Sequence, residues 1–329
     1  MIQIMPPLTL RRLLPALVLC GLLNPACRTA PPVAVVSPGT GGSSSRVSGD
    51  GVAAPMRVPI DLPNAAHSLK FAVFGDFGTG DAPQYVLAQR MADVHAAFPF
   101  DLVALVGDNI YGADRPRDMV RKFERPYAPL LGAGVPFYAA LGNHDSPSQR
   151  FYGPFNMSGR LFYSVAAPKQ DVRFFALDSS RLTGEQVRWL ETELAAAREG
   201  WKIVFLHHPL YSSGRRHGSD ERLRRDLEPI LVRFGVSVVF SGHDHFYERT
   251  HPQQGVTYFV TGSGGKLRRG NARRGQAFSA LVADQALVFL AAEIDGDTMA
   301  FNAIDAKGQV VDSGRIRRTG AADAPAPGP

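Results

Sequence analysis

Five segments of the chain share one construction, in which an apolar run ends in Asp, Asn or His. In one of them, the run 102–106 is followed directly by Gly107 and Asp108. This order predicts a buried strand with a carboxylate at its carboxyl end, where open α/β sheets bind their ligands. One Gly-Asp pair is weak evidence, because such pairs also form turns and helix caps, but five segments favour a shared site. The polar residues at these strand ends are Asp76, Asp108, Tyr111, Asn143, His207, His243 and His245.

These side chains are oxygen and imidazole donors without any sulfur, a set that suits Fe(III), Fe(II), Mn(II) or Zn(II). Seven donors exceed what one tetrahedral site takes, whereas two metals that share a carboxylate would use them all. A pair of metals roughly 3.5–4 Å apart can stabilise both the attacking and the leaving oxygen of a phosphoryl displacement. Asp108 is the predicted shared carboxylate.

Strands alternate with helical stretches through most of the chain. Helices are predicted at 83–97, 116–131, 184–199 and 220–234, and strands at 69–74, 101–106, 136–141, 172–177, 202–206, 236–240, 256–261, 286–294 and 298–304. The early strands are continuously apolar, which is typical of parallel strands covered on both faces. The last two are joined by Asp295-Gly296-Asp297, which predicts an antiparallel hairpin. We therefore expect an α/β fold with two mixed sheets face to face and helices outside.

Cysteine usage excludes a large class of mechanisms. Both cysteines, Cys20 and Cys27, lie in the amino-terminal leader, so the folded part has no disulfide, thiolate metal site or cysteine nucleophile. The net charge of +6 comes with arginine pairs that could steer an anionic substrate, but they form no continuous run, which favours scattered surface arginine. The pairs begin at Arg215, Arg224, Arg268, Arg273 and Arg317.

Residues 1–27 have the pattern of a secretory signal, in which paired arginines precede an apolar run too short to span a bilayer. Cys27 follows Ala26 as in a lipoprotein processing site, which would attach the protein to a membrane, and ordinary export is favoured over the twin-arginine route. The protein is expected to be exported, as a periplasmic, extracellular or membrane-anchored lipoprotein. Residues 28–66 and 319–329 are predicted to be a disordered linker and tail, because Pro, Gly, Ser and Ala bury too little surface. They flank a predicted catalytic domain at 67–318.

In their order, the five segments resemble the signature of the calcineurin-like metallophosphoesterases, and the Tyr after Gly-Asp-Asn-Ile is similar to the purple acid phosphatase branch. They read Gly75-Asp76-Phe77-Gly78, Gly107-Asp108-Asn109-Ile110-Tyr111, Gly142-Asn143-His144-Asp145, Val204-Phe205-Leu206-His207 and Gly242-His243-Asp244-His245. The resemblance implies a four-layer α/β/β/α sandwich with two metal ions. The implied ligands are Asp76, Asp108, Tyr111 and His245 for the first, and Asp108, Asn143, His207 and His243 for the second. The first would be Fe(III), and the second Fe(II), Zn(II) or Mn(II).

Other polar residues near the motifs have predicted roles of their own. His144 is expected to face the pocket as the general acid. His217, in the loop 211–218, resembles a substrate-contacting histidine of purple acid phosphatases, with an ordinary surface histidine as the alternative. His208 is expected to be packed or hydrogen-bonded, and Asp145 and Asp244 are expected to orient histidine ligands. The glycines at 262–265 predict a tight turn near the site rather than a phosphate cradle.

The resulting hypothesis is an exported phosphatase that hydrolyses small phosphomonoesters by attack of a metal-bound hydroxide. An alternative is a phosphodiesterase acting on cyclic nucleotides, phospholipid headgroups or nucleic acid, although nucleic acid is not expected as a partner. A more distant alternative is a non-catalytic, phosphate-binding surface lipoprotein. The sequence carries no prediction of oligomeric state.

Overall fold

The computed structural model describes residues 60–318 and Gly320. The predicted signal, most of the predicted linker and most of the predicted tail lie outside these residues. The strands are β1 (Leu69–Phe74), β2 (Leu102–Val106), β3 (Phe137–Ala140), β4 (Tyr163–Ala166), β5 (Val172–Ala176), β6 (Trp201–Phe205), β7 (Val238–Ser241), β8 (Tyr247–Thr250), β9 (Thr257–Thr261), β10 (Ser279–Ala283), β11 (Val288–Asp295), β12 (Thr298–Asp305) and β13 (Val310–Arg317). The helices are α1 (Ala82–Ala97), α2 (Pro116–Met119), α3 (Ala128–Gly132), α4 (Gly184–Ala196) and α5 (Glu221–Arg233), with a π-helical turn at Val120–Glu124. Short 3₁₀ turns lie at Pro147–Phe151, Gly153–Phe155 and Ser179–Arg181.

The described strands form two mixed sheets, as the sequence predicted. The first has six strands in the order β13-β12-β11-β1-β2-β3, and the second has seven in the order β10-β8-β9-β7-β6-β5-β4. Strands β1, β2 and β3 run parallel to one another, and so do β5, β6, β7 and β9. The predicted hairpin of β11 and β12 is antiparallel and pairs Asp295 with Thr298 next to the turn.

Aromatic side chains fill the space between the two sheets. Phe71 of β1 lies with its ring centroid 5.3 Å from that of Phe174 in β5 and 6.2 Å from that of Phe240 in β7. Farther along, Phe259 of β9 contacts Phe301 of β12 at 5.2 Å. All five rings are almost completely buried, and edge-to-face contacts of this kind add to the hydrophobic stabilisation of burial. The sheets therefore pack face to face around one aromatic core.

Helices cover the outer faces of the sheets, which gives the predicted α/β/β/α layering. Leu190 of α4 and Leu227 of α5 are buried in a cluster with Val204 and Val239 of the second sheet, while Met91 of α1 belongs to the core of the first. No helix within residues 60–318 is long and apolar enough to cross a membrane.

The helix predicted at 116–131 is instead broken into α2, the π-helical turn and α3. Pro129 explains the break, because proline has no N–H to donate and its ring clashes with the carbonyl four residues earlier. Tyr127 adopts a non-helical conformation just before α3, which places Pro129 in the first turn of a new helix.

The amino-terminal boundary also differs from the prediction, since residues 60–66 pack on the domain rather than belonging to a disordered linker. Ile60 and Leu62 contact the hydrophobic core. The backbone N–H groups of Asn64 and Ala65 each donate to the carboxylate of Glu293 at 2.6 Å. Two apolar contacts and two charge-assisted hydrogen bonds offset the composition of the segment, from which sequence alone predicted disorder.

Candidate metal centre

The parallel strands of both sheets end at the same edge of the molecule, and the predicted ligands follow them directly. Asp76 follows β1 and Asp108 follows β2, both in the first sheet. His207 follows β6 and His243 follows β7 in the second sheet. The chain thus brings residues more than 160 positions apart to one point between the sheets, where the backbone N–H of His243 donates to Asp76 Oδ2 at 2.9 Å.

A first group of donor atoms consists of Asp76, Tyr111 and His245. The Tyr111 hydroxyl donates to Asp76 Oδ1 at 3.1 Å and lies 3.3 Å from His245 Nε2. His245 Nε2 is in turn 3.3 Å from Asp76 Oδ1. A carboxylate oxygen, a phenol oxygen and an imidazole nitrogen therefore converge within 3.3 Å of one another.

A second group is centred on the fully buried His207. Its Nε2 lies 3.0 Å from Asn143 Oδ1, 3.2 Å from His243 Nδ1 and 3.4 Å from Asp108 Oδ1. Its other ring nitrogen, Nδ1, is 2.9 Å from the carbonyl oxygen of Val106. Because a carbonyl can only accept, Nδ1 carries the proton, and the lone pair of Nε2 points into the group.

This arrangement fits bound cations. In the second group a nitrogen lone pair faces two oxygen acceptors, Asn143 Oδ1 and Asp108 Oδ1, and such electron-rich atoms repel one another unless a positive charge lies between them. A carbonyl that fixes the tautomer of a ligating histidine is also a common feature of metal sites. Asp76, Asp108 and His207 form one set of converging ligand atoms, and His207, His208 and His243 form another. The two sets share His207, and one of them includes His208, which the resemblance did not imply as a ligand.

The close approach of the loops depends on glycine. A Cβ on Gly142 would lie 2.2 Å from Asp108 Oδ1, and one on Gly242 would lie 2.4 Å from Asp76 Oδ2. Three donors themselves adopt the left-handed conformation, with φ of 56° at Asp76, 50° at Asp108 and 69° at His243. Non-glycine residues in this region store backbone strain, which concentrates at functional sites.

Burial prepares the donors for a cation. It lowers the pKa of His243 to about 2 and that of His245 to about 4, so both rings are neutral, the form that binds metal. Burial and the neighbouring carboxylate of Asp108 raise the pKa of Asp76. Burial and the carboxylates of Asp76 and Asp108 also raise the pKa of Tyr111 far above its usual range. Ionisation of this phenol therefore requires a strongly charged neighbour.

The predicted catalytic histidines lie at the mouth of this site. His144 is exposed, its backbone N–H donates to Asp108 Oδ1 at 2.9 Å, and its ring centroid is 5.0 Å from that of Tyr111. The exposed His217 lies against His243 with ring centroids 4.1 Å apart, which brings it to the site. Burial lowers the pKa of His217. Residues from three separate loops thus surround one opening.

His208 is closer to the centre than its expected packing role required. Its Nδ1 lies 3.0 Å from the Ser179 hydroxyl, as expected for a hydrogen-bonded histidine. However, its ring centroid is also 4.4 Å from that of His243, and its nitrogens belong to the second donor set. The only sequence signal was its position beside His207, where strand alternation suggested that it turned away.

Asp145 and Asp244 support the site differently from the prediction that they orient histidine ligands. Asp145 accepts from the backbone N–H groups of Asn109, Ile110 and Gly142 at 2.8–3.0 Å. It therefore joins the loop after β2 to the loop after β3. Asp244 is fully buried and accepts a hydrogen bond from the N–H of Gly218 in the loop that carries His217. Asp145 thus sets the spacing of two donor loops, whereas Asp244 holds the loop of His217 through the Gly218 N–H.

The glycine-rich turn at 262–265 packs against the Asp76 loop. The N–H of Gly264 donates to the Gly75 carbonyl at 2.9 Å, and those of Gly265 and Lys266 donate to the Asp76 carbonyl at 3.1 and 3.0 Å. These three N–H groups donate to backbone carbonyls and are not free to bind a phosphate. The segment is therefore the predicted tight turn and not a phosphate cradle.

A family model described as calcineurin-like phosphoesterase matches residues 69–247, a stretch that contains every predicted donor. The chain belongs to the calcineurin-like phosphoesterase family. It is 26% identical over 251 residues to tartrate-resistant acid phosphatase type 5 of Homo sapiens, covering 63% of this chain and 76% of that protein. It is 27% identical over 250 residues to purple acid phosphatase 17 of Arabidopsis thaliana, covering 64% and 73%. These relatives place this phosphoesterase among the hydrolases and next to the acid phosphatases.

Solved structures support the fold. Purple acid phosphatase PPD1 from yellow lupin (Lupinus luteus) superposes with a TM-score of 0.65 at 22% identity, covering 79% of this chain and 55% of that one. GAP50, described as the anchor in the inner membrane complex of Plasmodium, gives 0.67 at 20% identity, covering 77% and 89%. Because one fold serves both a phosphatase and an anchor, the side chains of the site decide the function of this phosphoesterase.

Proposed function

We propose that this phosphoesterase hydrolyses phosphomonoesters at a two-metal centre. The observation that carries the proposal is the pair of donor groups that meet beside Asp108, with the exposed His144 and His217 at their opening. Asp76, Tyr111 and His245 would hold the first ion, Asn143, His207 and His243 the second, and Asp108 both. When bound, such ions would neutralise the phosphoryl oxygens and activate a water molecule as the nucleophile.

The two histidines at the opening have complementary roles in this proposal. His144 is exposed and fixed through its backbone N–H to Asp108, so its ring can reach the oxygen of a departing alcohol and donate a proton. The lowered pKa of His217 favours a neutral ring, which suits a hydrogen bond to a phosphoryl oxygen better than proton donation.

The donors also suggest the identity of the ions. A hard trivalent ion favours anionic oxygen and lowers the pKa of a ligating phenol. Tyr111 belongs to the first group, so Fe(III) is the proposed first ion, and the nitrogen-rich second group suits Fe(II), Zn(II) or Mn(II). Purple acid phosphatase 17 is among the relatives of the chain, which is consistent with this assignment.

Export is part of the same proposal. The basic and apolar leader over residues 1–27 is the pattern that supports it, and lipidation of Cys27 would place the catalytic domain on a membrane surface. The proposed partner is a small phosphorylated substrate that reaches the open rim of the site.

The test is hydrolysis of an aryl phosphate by the metal-loaded protein. We expect Asp108→Asn and His144→Ala each to lower kcat/KM by at least about 10²-fold, the usual effect of a lost catalytic group. His251→Ala is the matched control, because His251 is an exposed histidine beyond the other end of β8. Unchanged turnover in both site variants would contradict the proposal.

Two substrate comparisons separate the proposal from its rivals. Faster hydrolysis of a bis-aryl diester than of the monoester would make the protein a phosphodiesterase. Binding of inorganic phosphate without turnover of either ester would make it a binding protein.

A further inference from the structure

Two loops join at the edge of the candidate site and bring together arginines that are far apart in sequence. Gly214 and Ala272 form an isolated β-bridge. Beside it, the N–H of Arg215 donates to the Asn271 carbonyl at 2.7 Å, and the N–H of Arg273 donates to the Ser213 carbonyl at 2.8 Å. Arginine pairs that looked scattered in the sequence are therefore neighbours on one side of the opening.

Two cations on this side of the opening, Lys266 and Arg268, lie next to residues of the site. Lys266 Nζ is 3.5 Å from the ring centroid of Tyr111. The N–H of Arg268 donates to the carbonyl of His245 at 3.0 Å, and its charge acts on both His245 and His217.

Arg216 is exposed and lines a cavity of about 420 Å³ together with His208, His217 and His243. These contacts place Lys266 and Arg268 beside the first donor group and Arg216 beside the second, and the three cations are called the arc below.

Among the residues that the structure describes, these cations have no ion-pair partner. Within residues 60–318, no carboxylate lies within ion-pair distance of Arg216, Lys266 or Arg268, whereas Arg274 in the same region pairs with Asp284 at 2.7 Å. Arg268 Nη1 is buried and has no hydrogen-bond acceptor among the described residues. A buried donor without an acceptor is costly, which makes a bound anion favourable there.

The nearby acids are already committed to other partners. Asp220 and Glu221 line the same cavity as Arg216, but Asp220 accepts from the first N–H groups of α5 and Glu221 pairs with Arg224. The buried Asp244 accepts from three groups of the two loops. The exposed end of the arc therefore carries positive charge.

We propose that Arg216, Lys266 and Arg268 form a second anion-binding subsite that selects phosphomonoesters whose leaving group itself carries a phosphate. The inference rests on the proposed function, because the scissile phosphoryl group must occupy the donor groups beside Asp108. The second phosphate then reaches the arc past His217. Charge-assisted hydrogen bonds from guanidinium to phosphate are strong and directional. The subsite would therefore raise affinity for the bisphosphate without changing the hydrolysis of the phosphoryl group at the metal centre.

The experiment compares α,ω-alkanediol bisphosphates of two to six carbons with the alkyl monophosphates of the same length. We expect the bisphosphate of fitting length to have a KM at least about 10-fold below that of its monophosphate. Arg268→Gln should remove this advantage, so that the KM values of the bisphosphate and the monophosphate become about equal. Arg269→Gln is the matched control, because Arg269 is an exposed arginine of the same loop and should leave the advantage intact.

A binding measurement gives a second readout that does not depend on turnover. Calorimetric titration of the metal-loaded protein should show tighter binding of an alkane bisphosphonate than of the alkyl monophosphonate of the same length. This difference should shrink with added salt and be lost in Arg268→Gln and in Arg216→Gln. Arg216 is exposed, so its replacement leaves the fold intact and keeps the test valid if Arg268→Gln misfolds.

The outcomes separate the two proposals. An enzyme that turns over alkyl monophosphates but shows no bisphosphate advantage, or an equal loss in Arg268→Gln and Arg269→Gln, would overturn the subsite and leave the proposed function standing. Absence of turnover with every phosphomonoester would refute the proposed function instead. If Arg268→Gln loses turnover of the monophosphate and of the bisphosphate alike, the subsite is overturned as well, because Arg268 would then belong to the metal centre.

Discussion

The carboxylate of Asp244 accepts a hydrogen bond at 3.0 Å from the backbone N–H of Gly218, the residue that follows His217. The same oxygen accepts from the Ser212 hydroxyl at 2.6 Å, and the other accepts from Asn271 Nδ2 at 3.3 Å. Asp244 lies between His243 and His245 in the chain. One buried side chain therefore joins the metal-binding loop to both loops that border the substrate opening.

This relationship predicts that Asp244→Ala acts through His217. We expect the variant to lower kcat/KM for an aryl phosphate by about 10- to 10²-fold, because a misplaced substrate contact has a cost of this order. The double variant with His217→Ala should be no worse than the more impaired single variant, since both changes remove the same interaction.

Two further measurements separate positioning from general damage. Metal content should stay at the wild-type level in Asp244→Ala. In the pair Asp244→Asn with Asn271→Asp, the amide and the carboxylate exchange places, so the hydrogen bond between the two side chains can re-form and activity should recover. Additive losses in the double variant, or loss of metal in Asp244→Ala, would count against the interpretation.

Asp145→Ala should weaken metal binding even though Asp145 is not among the predicted ligands. Its carboxylate accepts from three backbone N–H groups that set the spacing of the loops bearing Asp108 and Asn143. Loss of such a supporting residue typically costs about 10- to 100-fold in metal affinity, which competition with a chelator would measure. Asp171→Ala is a suitable control, because Asp171 also accepts a backbone N–H, from Gly200 at 2.7 Å, but at the surface. Equal affinity in the two variants would contradict the prediction.

The strands that carry the site were predictable, because each is a mainly apolar run followed within two residues by glycine or a polar donor. Periodicity and the resemblance together led to the two mixed sheets, which the structure confirms. The missed strands β4, β8, β10 and β13 are short or mix polar with apolar residues, as in Val310–Arg317. Such strands are defined by their pairing partners more than by their own composition.

The supporting residues of the site were harder to predict, since their roles depend on contacts between distant segments. Nothing near Arg268 in the sequence indicates that it borders His245, because the contact is a backbone hydrogen bond between two loops. Likewise, the run of Pro, Ser and Ala around residue 65 predicts disorder until the carboxylate of Glu293, 228 positions away, is in place. The local sequence pattern specifies helices and strands. The partners of the supporting polar residues depend on hydrogen bonds between segments that are distant in the sequence.

His95 should make stability depend on pH at a point outside the metal centre. The N–H of Phe100 donates to His95 Nδ1 at 3.0 Å, which requires an unprotonated nitrogen, and burial lowers the pKa of this histidine below 6.5. The folded state therefore binds fewer protons than the unfolded state. The stabilisation of the folded state by neutral His95 is fully present above pH 6.5 and is lost as the pH falls through the folded pKa.

The matched variant for this test is His95→Asn, which keeps an acceptor but cannot titrate. As the pH falls below 6.5, the unfolding free energy of the wild type, measured in urea, should decrease more than that of the variant. A difference that stays constant across this range would contradict the prediction.

Tyr111→Phe should remove the colour of the iron-loaded protein. The hydroxyl of Tyr111 lies 3.1 Å from Asp76 Oδ1 and 3.3 Å from His245 Nε2, where burial and two carboxylates keep the phenol protonated unless a strongly charged ion is present. Bound Fe(III) would ionise it and give a visible tyrosinate-to-iron absorption band, with two metals per chain.

The variant should lose that band while retaining the second metal, whose proposed ligands it leaves intact. Tyr127→Phe is the control, because Tyr127 is a fully buried tyrosine in the aromatic core and its replacement should leave the spectrum unchanged. A colourless wild-type protein containing two manganese or zinc ions would keep the donor groups as the metal site but remove the iron assignment, and with it the argument from Tyr111 for the acid phosphatase reaction over the diesterase one.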